Sequence, residues 1–336
     1  MEMNIQLEKN ILELIYKKYN RQDFPCLYDQ YIRFKSEKPY EGLKILNSTP
    51  IFQNFLPKIL PLLASNAELV IKPPYFIDSS DNEIQLLKSL GLRVIESIPD
   101  NEKLDYVLDC CGENAGLEAR GFVELTKSGE DVYNKSGKKF INVDNSKCKE
   151  AEDFFGTSDS LIRAAKKLEI LDSLAAKVLI LGFGKVGRGV FKALSQISFS
   201  LKVFDPYSPD RNTDIFLENI NEIEAFNPDV VITATGVENV IEKNGMTNFI
   251  LKNRRMLINL GALDEYGPLI SSTSVLNNKK PLNFILQEPT RLKFLDPTFA
   301  LQNESLKVLI ESNNKGRHIV CQNHDSLNLK ISGFVL

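Results

Sequence analysis

Histidine is almost absent from this chain: His318 and His324, the two present, both fall within the last twenty positions. The body of the sequence therefore lacks the imidazoles that a histidine-based triad or metal site requires. Cysteine is also sparse. Cys26, Cys110, Cys111, Cys148 and Cys321 form no C-x-x-C pair and no mixed Cys/His set, which excludes a disulfide framework and structural zinc, and no metal is expected. The adjacent Cys110 and Cys111 read as reduced, inert residues at a strand end. No segment approaches the roughly 18 apolar residues of a membrane span. The N-terminal MEMNIQLEKNILELIYKKYN reads as an amphipathic, charge-dotted helix rather than a leader, so a cytoplasmic protein without a membrane partner is expected. A basic surplus is missing too. Lys and Arg number 41 against 44 Asp and Glu, scattered along the chain, so nucleic acid is not an expected partner.

What is present is a chain of 336 residues, long enough for two full hydrophobic cores. From Gly42 to Asp109, short apolar runs alternate with helical periods. GLKILNS, AELVIKP, LRVIES and YVLD suggest strands, FLPKILPLLASN and NEIQLLKSLG helices, and strands separated by such helices imply parallel β-α-β pairing. TSDSLIRAAKKLEILDSLA reads as a helix with Thr157 or Ser158 at its N-cap. From Ala176 a second α/β unit follows: KVLILGFG, KVGRGVFKALSQI, LKVFD, DVVITATG and RMLINLGA. Near the end, PTRLKFLDPTFALQNESLKVLIES suggests a long helix beginning at Asp296-Pro297 and returning to the first domain.

The expectation is thus a two-domain α/β protein: a Rossmann-type, doubly wound parallel-sheet cofactor domain (residues 157–285) inserted into a second α/β substrate domain (residues 1–156 and 286–336). The glycine loop supports the cofactor role. Strand Val178–Leu181 runs into Gly182, Phe183, Gly184, Lys185, Val186 and Gly187, and a helix-compatible segment follows directly. Gly182 permits the tight turn, Gly184 lets the backbone approach a pyrophosphate, and Gly187 lets helix and strand pack closely. The helix N-terminus offers free N–H groups to phosphate. LKVF ends at Asp205, where an acid accepts from the adenosine ribose hydroxyls and repels a 2′-phosphate, favouring NAD over NADP. Arg211 lies nearby and keeps NADP open.

With these residues in view, the chain resembles the S-adenosyl-L-homocysteine hydrolase family. FPCLYDQYIRFKSEKPYEGLKI, YVLDCCGEN, GFVELTKSG, KFINVDNSKCKEAEDFFGTSDSL, ILGFGKVGRGV, VVITATGVENVI, LINLGALD and EPTRLKFLDPTFALQ follow in the family's order. The resemblance implies a tightly held NAD that oxidises a hydroxyl of an adenosyl group. It also implies cofactor contacts at Gly184, Lys185, Val186, Asp205, Thr235, Gly236 and Asn259, at Thr126 and Ser128 before Gly129, and at Asn283. The family's hydrolytic residues are replaced: Pro50, Phe52, Cys110, Leu125, Ala262 and Glu288 stand at those positions. A leucine neither takes nor gives a proton, so hydrolysis of S-adenosylhomocysteine is not expected. The terminal LKISGFVL lacks the Lys/Tyr tail by which the family closes a neighbour's cofactor site, and a homodimer is the expectation.

A redox kernel survives. Lys149, Glu152 and Asp153 stand at i, i+3 and i+4, on one face of a helix, with Lys147 an alternative for the lysine. In the resembled family a lysine and a nearby acid pair handle the hydroxyl proton; the resemblance implies a lysine lowered in pKa by burial as base here, with Asp153 near the nicotinamide, and the bland alternative is a solvated charge run. The sequence points to an NAD-dependent oxidoreductase on a hydroxyl-bearing, nucleoside-like small molecule. A noncatalytic NAD- or partner-binding scaffold and a divergent hydrolase are the alternatives.

Overall fold

The computed structural model describes residues 2–209, 213–252, 254–312 and 317–318. Arg211, Cys321, His324 and the terminal LKISGFVL lie outside the described residues. In chain order the strands are β1 (Lys44–Asn47), β2 (Glu68–Ile71), β3 (Arg93–Val94), β4 (Tyr106–Asp109), β5 (Gly121–Glu124), β6 (Phe140–Asn142), β7 (Lys177–Leu181), β8 (Ser200–Phe204), β9 (Val230–Thr233), β10 (Met256–Asn259) and β11 (Arg317–His318). The helices are α1 (Glu2–Tyr16), α2 (Pro25–Glu37), α3 (Phe55–Ala64), α4 (Asp81–Ser89), α5 (Lys127–Ser136), α6 (Lys147–Ala151), α7 (Thr157–Lys167), α8 (Lys185–Leu194), α9 (Ile220–Phe226), α10 (Val240–Lys243), α11 (Thr247–Lys252) and α12 (Leu292–Glu311).

The chain divides into two units, Met1–Glu150 with Arg291–Leu336, and Ala151–Thr290. The breaks fall at 150/151 and 290/291 rather than at 156/157 and 285/286. Close backbone packing accounts for the earlier one. A Cβ on Gly189 of α8 would stand 2.0 Å from the Phe154 carbonyl oxygen, so the segment before α7 is seated on α8 and belongs with it.

In the first unit all strands are parallel, in the order β11-β6-β5-β4-β1-β2-β3. The chain winds outward in both directions from β1 and β4, which is the doubly wound arrangement, and the strand order reverses between those two strands. Period-2 alternation sends Ile45, Ile71, Leu108, Val123 and Ile141 to one face, where α2, α3 and α12 cover them. Leu46, Val70, Val107, Phe122 and Phe140 face the other way, towards Tyr133 of α5. Strand β3 is shorter than LRVIES suggests, because as an edge strand it pairs with β2 over two residues only.

The second unit repeats the plan with four parallel strands, β10-β9-β7-β8. Val178, Ile180, Val203, Val230, Ile232 and Ile258 pack under α7 and α8. Leu179, Leu181, Val231 and Leu257 pack under α9, α10 and α11. The order reverses between β7 and β9, so the loops after those two strands flank the crevice where doubly wound sheets take ligands.

Two helix starts differ from expectation. Neither Thr157 nor Ser158 is an N-cap. A π-helical turn, Glu152–Gly156, connects α6 to α7 without a break, and the Ser158 hydroxyl donates to the Phe154 and Phe155 carbonyls at 2.8 and 3.0 Å. Helix α12 begins at Leu292, not at Asp296-Pro297, and carries Pro297 inside it. Asp296 instead caps another helix: its carboxylate accepts from the backbone N–H groups of Cys26 and Leu27 at the start of α2, at 2.9 and 2.8 Å.

Candidate dinucleotide-binding site

The glycine loop joins β7 to α8, a ten-residue helix whose first residue is Lys185. Gly182 has φ +96°, and a Cβ there would lie 2.7 Å from the Ala234 carbonyl oxygen, so the turn after β7 presses directly on the loop after β9. A Cβ on Gly187 would lie 2.0 Å from the Gly182 carbonyl oxygen, which ties the first turn of α8 to the loop. Gly184 is different: an added Cβ meets no protein atom within 4 Å. Two glycines are required by the protein's own packing, and the third lies on the open side of the loop at a helix N-terminus. Phe183 packs edge-on against Phe191 and Phe216, and Val186 is half-buried beside this core.

Asp205 follows β8, and its carboxylate is drawn onto the glycine loop. One oxygen accepts from Phe183 N–H at 2.7 Å and the other from Tyr207 N–H at 3.0 Å. Each oxygen retains a lone pair for a further donor.

Beyond β9 and β10 the expected contacts are held inside the unit. Thr235 and Gly236 donate their backbone N–H groups to Glu265, at 3.0 and 2.7 Å, and the Thr235 hydroxyl donates to it at 2.7 Å. Glu265 is fully buried, and burial raises its pKa even though these donors favour the carboxylate. The Asn259 amide is also fully engaged. Its oxygen accepts from Thr233 Oγ1 and Gly261 N–H at 3.1 and 3.0 Å, and its nitrogen donates to the Leu263 and Lys279 carbonyls. Asn259 therefore ties the end of β9 to the loop after β10. Asn283 is buried in the 3₁₀ turn Leu282–Ile285. Glu265 was not legible as a site residue, though an acid placed between apolar strand and Tyr-Gly turn was its signal.

Lys149 lies in α6, whereas Glu152 opens the π-helical turn, so the three candidates for proton transfer do not share one regular α-helical face. Lys149 and Glu152 are buried. Asp153 is half-buried and its carboxylate stands 3.9 Å from the Lys185 ammonium, bringing it to the glycine loop.

In the first unit, Thr126 and Ser128 gather with Cys111 at the ends of β4 and β5. The Ser128 hydroxyl donates to the Cys111 sulfur at 3.3 Å and lies 3.1 Å from the Thr126 hydroxyl. Cys111 holds a left-handed backbone, φ +61°, and is not the inert twin of Cys110. Hydrogen bonding from Cys110, then Ser128 and Thr126, outweighs burial and lowers its thiol pKa, while the same Cys110–Cys111 contact, with burial, raises that of Cys110. Two buried acids underlie the cluster. Glu124 accepts from Cys111 N–H, Gly112 N–H and Thr126 N–H at 2.7–2.9 Å and from the Thr126 hydroxyl at 2.6 Å. Asp109, opposite it on β4, accepts from the Tyr133 hydroxyl and the Asn114 side chain, each at 2.6 Å. Burial, then the Asp109 charge, push the Glu124 carboxyl up to about 8. In sequence the only sign of either acid is its place at the end of an apolar strand, in YVLD and GFVE.

Among the described residues no group of three or more His, Cys, Asp or Glu could hold a metal ion, and no helix is long and apolar enough to cross a membrane.

No protein-family model matches the chain, and no curated protein matches it. The resemblance to S-adenosyl-L-homocysteine hydrolases therefore rests on the ordered motifs alone. Among solved structures, the chain is similar to NAD⁺-bound 3-phosphoglycerate dehydrogenase of Entamoeba histolytica, at 14% identity and a TM-score of 0.46, over 81% of this chain and 96% of that one. An NADPH-dependent glyoxylate/hydroxypyruvate reductase of Sinorhizobium meliloti gives 13% and 0.45, over 81% and 95%. A 2-hydroxyacid dehydrogenase of Ketogulonicigenium vulgare gives 12% and 0.46, over 82% and 98%. Likeness at this level assigns no residue and no activity.

Proposed function

We propose that the protein is an NAD(H)-binding oxidoreductase acting on a hydroxyl-bearing small molecule, with the cofactor on the glycine loop of the second unit. The open side of Gly184 carries the reading. It stands at the N-terminus of α8, beside the reversal of strand order, with the Asp205 carboxylate hydrogen-bonded to the same loop. A pyrophosphate there would accept from the first N–H groups of α8, and Asp205 would take the adenosine ribose hydroxyls. Its charge favours NAD over NADP. When bound, the nicotinamide supplies a hydride acceptor. Lys149 and Asp153 are proposed to handle the hydroxyl proton, Asp153 being oriented by Lys185. Asn259, Thr235 and Gly236 are proposed to shape the crevice through Glu265 and the loop after β10 rather than by direct contact.

Hydrolysis of S-adenosylhomocysteine does not fit. Leu125, at the family's catalytic glutamate, is an apolar core residue. Incubation with S-adenosylhomocysteine is expected to release no adenosine.

The test is denaturation of the purified protein and mass analysis of the supernatant, followed by titration of emptied protein with NAD⁺ and NADP⁺. Bound dinucleotide, or tighter binding of NAD⁺ than of NADP⁺, supports the reading; a protein that binds neither overturns it. If NAD binds but Lys149→Ala leaves turnover unchanged, the lysine is not the base.

A further inference from the structure

Within the first unit a cleft of about 240 Å³ opens beside the end of β2, bordered by Lys72, Tyr75, Ser97, Ile98, Glu113 and Leu117. Lys72 directly follows the strand. It is 4% exposed, and among the described residues its ammonium has no hydrogen-bond partner. Two groups stand near it: the Tyr75 ring, 4.2 Å from Nζ to centroid, and a Glu113 carboxylate oxygen at 3.7 Å. At that distance the carboxylate accepts no hydrogen bond from the lysine. The carboxylate is held instead by the backbone N–H groups of Tyr75 and Phe76, at 2.7–2.9 Å. Three ammonium donors are thus buried with no acceptor. Such a group is costly to keep, and a methionine of similar length would fill the space without it. Burial accordingly lowers the lysine's pKa, against the raising influence of Glu113 and Asp109.

We propose that this cleft is a binding site for a small carboxylic acid, its carboxylate accepting hydrogen bonds from Lys72 and its short aliphatic remainder lying against Ile98 and Leu117. Ser97 borders the same space, and a hydroxyl there is a donor available to the second carboxylate oxygen. The charge of the site favours a monoanion. Any anion there meets the Glu113 carboxylate 3.7 Å from Nζ, and a phosphate dianion meets it with about twice the charge of a carboxylate. This site lies wholly in the first unit, and it stands or falls independently of dinucleotide binding in the second.

The experiment is calorimetric titration of the full chain with sodium butyrate at pH 7, with inorganic phosphate at matched ionic strength as the comparison. Butyrate is expected to bind more tightly than phosphate. Lys72→Met should weaken butyrate at least about tenfold, the loss of a charge-assisted hydrogen bond. Lys72→Met also removes the ion-pair partner of Glu113, so its fold is checked by circular dichroism before titration. Gly116→Leu supplies a second variant. A Cβ there meets no atom within 4 Å, so the chain should fold and the added side chain should block the cleft. The proposal is overturned if wild type binds neither anion, if phosphate binds more tightly, or if Lys72→Met binds butyrate as wild type does.

Discussion

Single residues in the glycine loop separate what the fold requires from what a ligand would require. Gly182→Ala would force a side chain into a φ of +96° and against the Ala234 carbonyl, and Gly187→Ala would drive a Cβ into the Gly182 carbonyl. Each is expected to cost about 1–3 kcal/mol, read as a fall in the denaturation midpoint. Gly184→Ala meets no protein atom and should cost under about 1 kcal/mol, the usual penalty at an N-cap. If a pyrophosphate lies against this backbone, the same alanine should weaken NAD⁺ binding at least tenfold by calorimetry. Unchanged affinity in a folded Gly184→Ala protein would remove the loop from the cofactor site.

Glu124 makes the matching argument in the first unit. Its folded pKa, about 8, lies above the ordinary carboxylate value of 4.5. Its contribution to stability is therefore fully present below about pH 4.5 and is lost as pH rises to 8. Glu124→Gln should abolish that decline in a urea-denaturation series across this window. The variant should also be less stable below it by about 1–3 kcal/mol, because the amide turns a donor towards Gly112 N–H. The Gly-x-Gly-x-x-Gly spacing and the acid after LKVF could be read directly from the chain, since both depend on residues adjacent in sequence. Asp109, Glu124 and Glu265 could not, because each also draws partners from a distant segment: Tyr133 for Asp109, Cys111 and Gly112 for Glu124, Thr235 and Gly236 for Glu265.

At the scale of elements, α12 shows the same contrast. Its apolar spacing marks a helix, but fifteen of its twenty residues are buried, including Asp296, Gln302, Asn303 and Glu304. These polar residues bond to other elements, although the Asn303 side-chain oxygen accepts no hydrogen bond among the described residues. Gln302 donates to the Asp109 and Val123 carbonyls and accepts from the buried Lys58, while Asn303 donates to Gln30 and to the Lys58 carbonyl. Read locally, Asp296-Pro297 is a helix start; in the structure Asp296 caps α2. Asp296→Ala removes the acceptor of two buried N–H groups and is expected to cost about 2 kcal/mol or more, measured by denaturant unfolding. A loss below about 0.5 kcal/mol would show that α2 does not need the cap. Burial raises the Asp296 pKa to about 6, so this variant should also lose the wild type's decline in stability between about pH 4 and pH 6.

For the molecule as a whole, the chain enters the second unit once and leaves it once, and the last long helix belongs to the first. Leu292, Leu295, Phe299 and Leu306 of α12 are part of the core beneath β1, β2 and β4. A fragment of residues 151–290 is expected to fold cooperatively and to retain whatever dinucleotide binding the full chain shows. A fragment of residues 1–150, lacking α12, should give no cooperative transition by circular dichroism. Cooperative folding of that fragment would mean the first core closes without α12.

Local pattern alone determined the strand-helix alternation, the glycine loop and the two-unit α/β architecture, since apolar period and turn chemistry operate over a few neighbouring residues. Tertiary structure decided that the first unit is doubly wound as well, that α6 passes into α7 through a π-helical turn, and that Asp296 serves a helix some 270 residues away. It also decided that Asn259 is engaged within its own unit, and that Lys72 is buried with no acceptor for its ammonium among the described residues. The reason is physical. A polar side chain has the same identity in sequence whether water or protein satisfies it, and only packing between distant segments sets which of the two occurs.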